Sequence, residues 1–160
     1  MDIYDYAMQM EKDGENYYNE LRNKTTNQGL KAILGMLIAA EVKHYALFQN
    51  MKQRAKVLVP DSPILADVKN IFVQMRERKD FNVDVTQKEL YRKAQDIEVK
   101  SRDFYRAKAD EVTDASQKEA FRKIAQEEQR HFIILENIIN FVSRPDIWLE
   151  DPEWYHLEDY

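Results

Sequence analysis

Glu11, Glu41 and His44 recur 87 positions later as Glu98, Glu128 and His131, and Tyr18 recurs on the same offset as Tyr105. Carboxylate oxygens and imidazole nitrogens are ligands for divalent iron, manganese or zinc. In Glu41-Val42-Lys43-His44 and in Glu128-Gln129-Arg130-His131 the two ligand types stand three apart. On a helix that separation is roughly 300° around the axis and about 4.5 Å along it, so the pair are neighbours and can share one cation. A lone Glu-x-x-His is weak evidence, because both residues are common on solvated faces. Two copies in register, each with a matching Glu elsewhere in the chain, point to two cations held in one centre.

The elements that must position these residues show in the hydrophobic stepping. Tyr4, Ala7, Glu11, Gly14, Tyr18 and Leu21 fall at alternating steps of three and four, which predicts one face of a first helix. After the polar break Thr25-Thr26-Asn27-Gln28-Gly29 the stepping resumes with Leu34, Leu37, Glu41, His44, Phe48 and Met51. A third helix carries Tyr91, Ala94, Glu98, Ser101 and Tyr105. Beyond Thr113-Asp114-Ala115-Ser116 a fourth carries Phe121, Ile124, Glu128, His131, Leu135 and Ile138. Short turns make each half an antiparallel hairpin. Residues 58–85 must then travel back along the bundle, with Pro60-Asp61-Ser62-Pro63 starting a short helix that runs to about Asp80.

The ligand candidates therefore occupy core stripes, where an unpaired ionised carboxylate costs several kcal/mol or neutralises itself. No stripe offers a matching set of Arg or Lys, and Lys108, the nearest case, lies at a helix end. Two divalent cations would supply the missing charge, about +4 against four carboxylates. The chain has no cysteine, so disulfides, thiolate zinc sites, iron–sulfur clusters and thiol nucleophiles are excluded and only oxygen and imidazole ligands remain.

With 160 residues, 44% of them hydrophobic, 33% charged and only 3 Gly and 4 Pro, the composition is that of long amphipathic helices, and we expect an all-α fold. The bundle is expected over 1–142, with the crossover at 58–85 and an aromatic-rich tail at 143–160. Trp148, Trp154, Tyr155 and Tyr160 of that tail are expected to pack on the bundle or on a neighbour. A net charge of −5 and a pI near 5.3 leave no basic stripe for nucleic acid. There is no apolar run of membrane-spanning length and no signal-peptide pattern at Met1-Asp2-Ile3-Tyr4-Asp5, so a cytoplasmic protein with no membrane partner is expected.

On the Glu-x-x-His pairs of helices two and four, and on Glu11 with Tyr18 and Glu98 with Tyr105 of helices one and three, the chain resembles the ferritin-like superfamily, nearest the rubrerythrin-like di-iron proteins. The resemblance covers nearly all of residues 1–142. It implies a four-helix bundle of two antiparallel hairpins joined by a long crossover. It also implies Glu11, Glu41, His44, Glu98, Glu128 and His131 as ligands to two iron ions, with manganese an alternative and zinc an adventitious occupant. Tyr18 and Tyr105, about two turns from Glu11 and Glu98 on the same faces, would each hydrogen-bond a ligand carboxylate from another helix. Two departures stand out. Rubrerythrins proper carry a rubredoxin-type iron domain held by cysteines, which this chain lacks, so an external electron donor is implied. Ser101 stands where some members have an extra carboxylate, which implies a more symmetric site.

The resemblance implies a redox enzyme of oxidative-stress defence that reduces hydrogen peroxide or dioxygen. The alternative is an iron- or manganese-binding protein that handles or slowly oxidises the metal. A metal-free interaction module would leave the four core glutamates without a purpose. A homodimer is expected from the aromatic tail. Tyr18 and Tyr105 also admit a reading as plain core aromatics, Met8, Met36 and Met51 read as core packing, and His156 as a surface histidine. Arg76-Glu77-Arg78-Lys79-Asp80 and Lys88-Glu89 are expected on solvated faces, and Glu127 is expected to point away from the ligand stripe.

Overall fold

The computed structural model describes residues 2–150 together with Trp154 and Leu157; His156, Tyr155 and Tyr160 lie outside the described residues. Four long helices form the bundle: α1 (Ile3–Lys24), α2 (Gln28–Lys52), α4 (Lys88–Glu111) and α5 (Ala115–Ser143). Between α2 and α4 run the crossover helix α3 (Ile64–Arg78) and a single 3-10 turn, Val85–Gln87; α6 (Pro145–Glu150) follows α5. No strand occurs among the described residues.

Local chemistry sets the boundaries. Asp2 caps α1 by accepting from the backbone N–H of Tyr4 and Asp5. Asn27 caps α2 through Leu30 N, and Asp114 caps α5 through Gln117 N, each bond being 2.9 Å. Each such cap is worth about 1 kcal/mol. Pro63 stands just ahead of α3, where its missing N–H costs nothing, and α3 ends on Lys79 in the left-handed region (φ 55°). The tail also differs from expectation, because α6 forms where no helical stepping is visible. Its Pro145 start needs no N–H donor, and six residues are too few to show a period.

Chain direction follows from the contacts at the bundle ends. Gln87 Nε2 donates to Lys24 O, and Tyr17 Oη donates to Leu90 O, so α4 starts beside the end of α1 and runs antiparallel to it. Gln117 Nε2 donates to Met51 O, so α5 starts beside the end of α2. The connector therefore climbs the whole bundle, tied near its start by Lys123 Nζ to Val59 O and at its end by Asn27 Nδ2 to Asp80 and Asn82 O.

Every residue of the four predicted stripes is buried except Tyr4, which is half-buried. The apolar ones form two separate clusters. One joins Leu21, Leu30, Leu34 and Leu37 to α3, to the second half of α5 and to the tail; the other joins Ala7, Phe48, Met51, Tyr105, Phe121 and Ile124. Trp148 and Trp154 stack at 5.1 Å, and both lie against Phe72 of α3, at 4.6 and 5.6 Å. The tail thus packs its two tryptophans on the bundle. Arg76, expected on a solvated face, lies over the Trp154 ring at 5.5 Å. No helix among the described residues is long and apolar enough to cross a membrane.

Candidate metal centre

Between the two apolar clusters lies a layer of four carboxylates and two imidazoles, all at 3% exposure or less. Each helix delivers its ligand candidates by the stepping described above: Glu11 from α1, Glu41 and His44 from α2, Glu98 from α4, Glu128 and His131 from α5. The side chains form two overlapping groups. Glu11, Glu41, His44 and Glu128 offer atoms that all lie within 4.8 Å of one another, as do Glu41, Glu98, Glu128 and His131. Glu41 and Glu128 belong to both. The two imidazole rings face each other nearly parallel, 12° apart in plane and 6.0 Å between centroids.

Polar atoms are left without partners here. Glu11 Oε2, His44 Nδ1, Glu98 Oε2, Glu128 Oε1 and His131 Nδ1 are buried and make no hydrogen bond. His44 Nδ1 is 3.0 Å from Glu128 Oε1 and 3.5 Å from Glu11 Oε1, and His131 Nδ1 is 3.4 Å from Glu98 Oε1. These are ion-pair distances without hydrogen-bond geometry. Buried polar atoms are nearly always paired, and an orphan costs about 1–3 kcal/mol. Five orphans converging from four helices are the arrangement expected of ligands, and oxygen with imidazole nitrogen is a donor set that iron and manganese accept. The residues present fit a pair of such cations.

The outer atoms of the layer are engaged. Tyr105 Oη donates to Glu11 Oε1 at 2.8 Å, and Tyr18 Oη donates to Glu98 Oε1, each phenol reaching from α4 to α1 or back. Burial, reinforced by Glu11 for Tyr105 and by Glu98 for Tyr18, pushes both phenols well above their ordinary range, so they remain donors. Burial, followed by repulsion from the other carboxylates, holds Glu41 and Glu128 well above the usual carboxylate range. Burial also works against ionisation of Glu98, but attraction to His131 and hydrogen bonds outweigh it and bring the group down to about 2. Gly14 sits beside Glu41, and a Cβ there would come within 3.1 Å of Glu41 Oε2.

Glu127 departs from expectation. It is buried at 7% exposure, and its Oε2 accepts from His44 Nε2 across the α2–α5 interface. The reason lies in α5, which is covered on two sides. Besides the ligand stripe, the row Ala120, Glu127, Ile134 and Phe141 is buried at steps of seven. The apolar run Phe132-Ile133-Ile134-Leu135 is the signal in the sequence that this helix has a second buried face.

A family model described as Rubrerythrin matches residues 2–139. No curated protein and no solved structure matches the chain.

Proposed function

Because the chain belongs to the rubrerythrin family, a ferritin-like di-iron family, we propose that the six-residue layer holds two iron ions and that the protein is an oxidoreductase reducing hydrogen peroxide or dioxygen with electrons from an external donor. The observation that carries this reading is the pair of overlapping ligand groups sharing Glu41 and Glu128. Shared carboxylates bring two cations close enough to act on one small oxidant.

A ferrous pair, when bound, supplies the two electrons that, with two protons, convert hydrogen peroxide to two waters. The chain's own residues supply the rest. Glu11 with His44 and Glu98 with His131 would each hold one ion from the outside, while Tyr105 and Tyr18 anchor Glu11 and Glu98 by donating a hydrogen bond that neither phenol gives up. The apolar clusters on both sides exclude bulk water from the layer. With no cysteine in the chain, no thiolate-held iron centre within it can return electrons to the site, so the reductant is external to it.

The test is an anaerobic ferrous titration of the metal-free protein followed by hydrogen peroxide with and without a reductant. Saturation at two irons per chain, rapid oxidation and repeated turnover with reductant are expected. Slow oxidation with iron retained would replace the enzyme reading with metal handling, and failure to bind iron would overturn both.

A further inference from the structure

The ligand layer is symmetric in its six ligands but not in what stands behind its histidines. His44 Nε2 donates to Glu127, a carboxylate one residue before the shared ligand Glu128. An ionised carboxylate only accepts, so Nε2 carries a proton here, and Nδ1, facing Glu11 and Glu128, is the nitrogen that would meet a cation. The repeat places Ala40 where the other half has Glu127, 87 residues apart, and an alanine offers no acceptor. Among the described residues, every ion-pair contact of His131 is made through Nδ1 and none through Nε2.

Where the crossover turns into α3 it roofs a cavity of about 250 Å³ lined by Met36, Ala40, Lys43, Pro63 and Glu127 among others. Glu127 is thus buried on one side against His44 and borders this cavity on the other. Ala40 lines the same cavity from α2, so the position that repeats Glu127 lies under the same crossover but carries no carboxylate.

We propose that Glu127 is a positioning residue that makes the two metal positions unequal, so that the position served by His44 fills first and binds more tightly than the one served by His131. The proposal rests on the two-metal reading above. A carboxylate behind a ligating imidazole fixes its tautomer and ring rotation and raises its basicity; loss of such a partner costs about 10–100-fold in metal affinity. His44 has this support and His131 does not.

The experiment uses the full chain and zinc, which is redox-inert and diamagnetic. Zinc is titrated into metal-free protein while the ring ¹⁵N signals of both histidines are followed by NMR and the heats by calorimetry, for the wild type and for Glu127→Gln and Glu127→Ala. In the wild type the His44 ring should shift over the first equivalent and the His131 ring over the second. In Glu127→Gln, which keeps the shape and removes the charge, the first binding step should weaken about 10-fold or more and the order should blur or reverse, with the second step little changed. Glu127→Ala should behave likewise, with the His44 ring signals in the metal-free protein also moving as the Nε2 proton loses its acceptor. Two zinc ions binding with both rings shifting in parallel, or an unchanged order and affinity in Glu127→Gln, would overturn the inference and leave the two-metal reading intact. Absence of zinc binding in the wild type would overturn both.

Discussion

Glu41 and Glu128 reach both ligand groups, whereas Glu11 with His44 and Glu98 with His131 reach one each. Truncation should therefore differ in kind between the two sorts of glutamate. Glu41→Ala or Glu128→Ala is expected to abolish binding of the pair, since each removes a ligand from both positions. Glu11→Ala or Glu98→Ala should leave about one metal per chain at the intact position. Metal analysis after equilibration and desalting distinguishes these outcomes, and equal stoichiometry in all four variants would contradict the sharing. Tyr18 and Tyr105 act on the outer carboxylates, Glu98 and Glu11. Their hydrogen bonds cross from one hairpin to the other, so each half of the chain holds a carboxylate of the opposite half in place.

At the scale of the helix, glycine marks where backbone and ligand come close. Gly14 lies in the interior of α1 opposite Glu41, where an added Cβ would stand 3.1 Å from Oε2 and 3.2 Å from Cδ of that side chain. Gly35, in the interior of α2, has only Arg22 Nη1 nearby, at 3.8 Å. The two positions carry the same helix-propensity gain but opposite consequences for the site. Gly35→Ala should stabilise the protein by about 0.5–1 kcal/mol with metal binding unchanged. Gly14→Ala should displace the shared Glu41 carboxylate by a few tenths of an ångström and weaken metal binding at both positions. Denaturant unfolding of the metal-free protein together with a metal titration reads both effects, and a Gly14→Ala variant that binds as the wild type does would show that Glu41 has room to move. The crossover acts at this scale as well. By covering the row Ala120, Glu127, Ile134 and Phe141, it turns a second face of α5 inward and encloses a carboxylate that the other hairpin lacks.

For the molecule as a whole, the layer makes metal-free stability depend on pH with a definite sign. Glu41 and Glu128 have folded values well above their ordinary 4.5, so they bind protons more tightly folded than unfolded. Their contribution is complete below about 4.5 and is lost as pH rises toward the folded values. His44 acts in the same direction. Burial alone would lower it, but attraction to Glu11 and the hydrogen bond to Glu127 hold it well above 6.5. Glu98, held at about 2, works oppositely, but its stabilisation is lost only as pH falls from 4.5 through that value. From about pH 5 to 8 the raised groups decide, and the metal-free midpoint should fall with increasing pH. Cations taking the place of those protons should remove most of this dependence, so the thermal midpoints of metal-free and metal-loaded protein should diverge as pH rises. Parallel pH profiles of the two forms would show that the layer does not exchange protons for metal.

The four stripes, the paired Glu-x-x-His and the long connector were all legible in the sequence, because helical periodicity and a repeat with constant offset are one-dimensional signals. Glu41 and Glu128 announce themselves in the same way, since apolar residues stand three and four positions before each (Leu37 and Ile38, Ile124 and Ala125), whereas Glu98, beside Gln95, Ser101 and Arg102, is marked by the repeat. Three features belonged to the tertiary structure alone. That Glu41 and Glu128 are the shared carboxylates depends on which helices lie diagonally and how far each side chain reaches across. That Trp148 and Trp154 settle on Phe72 depends on where the crossover lies. That Glu127 is buried against His44 depends on α2 and the start of the crossover helix lying beside that face of α5. Each is a contact between elements distant in the chain, and periodicity within one helix records which face is buried but not what another helix brings to it.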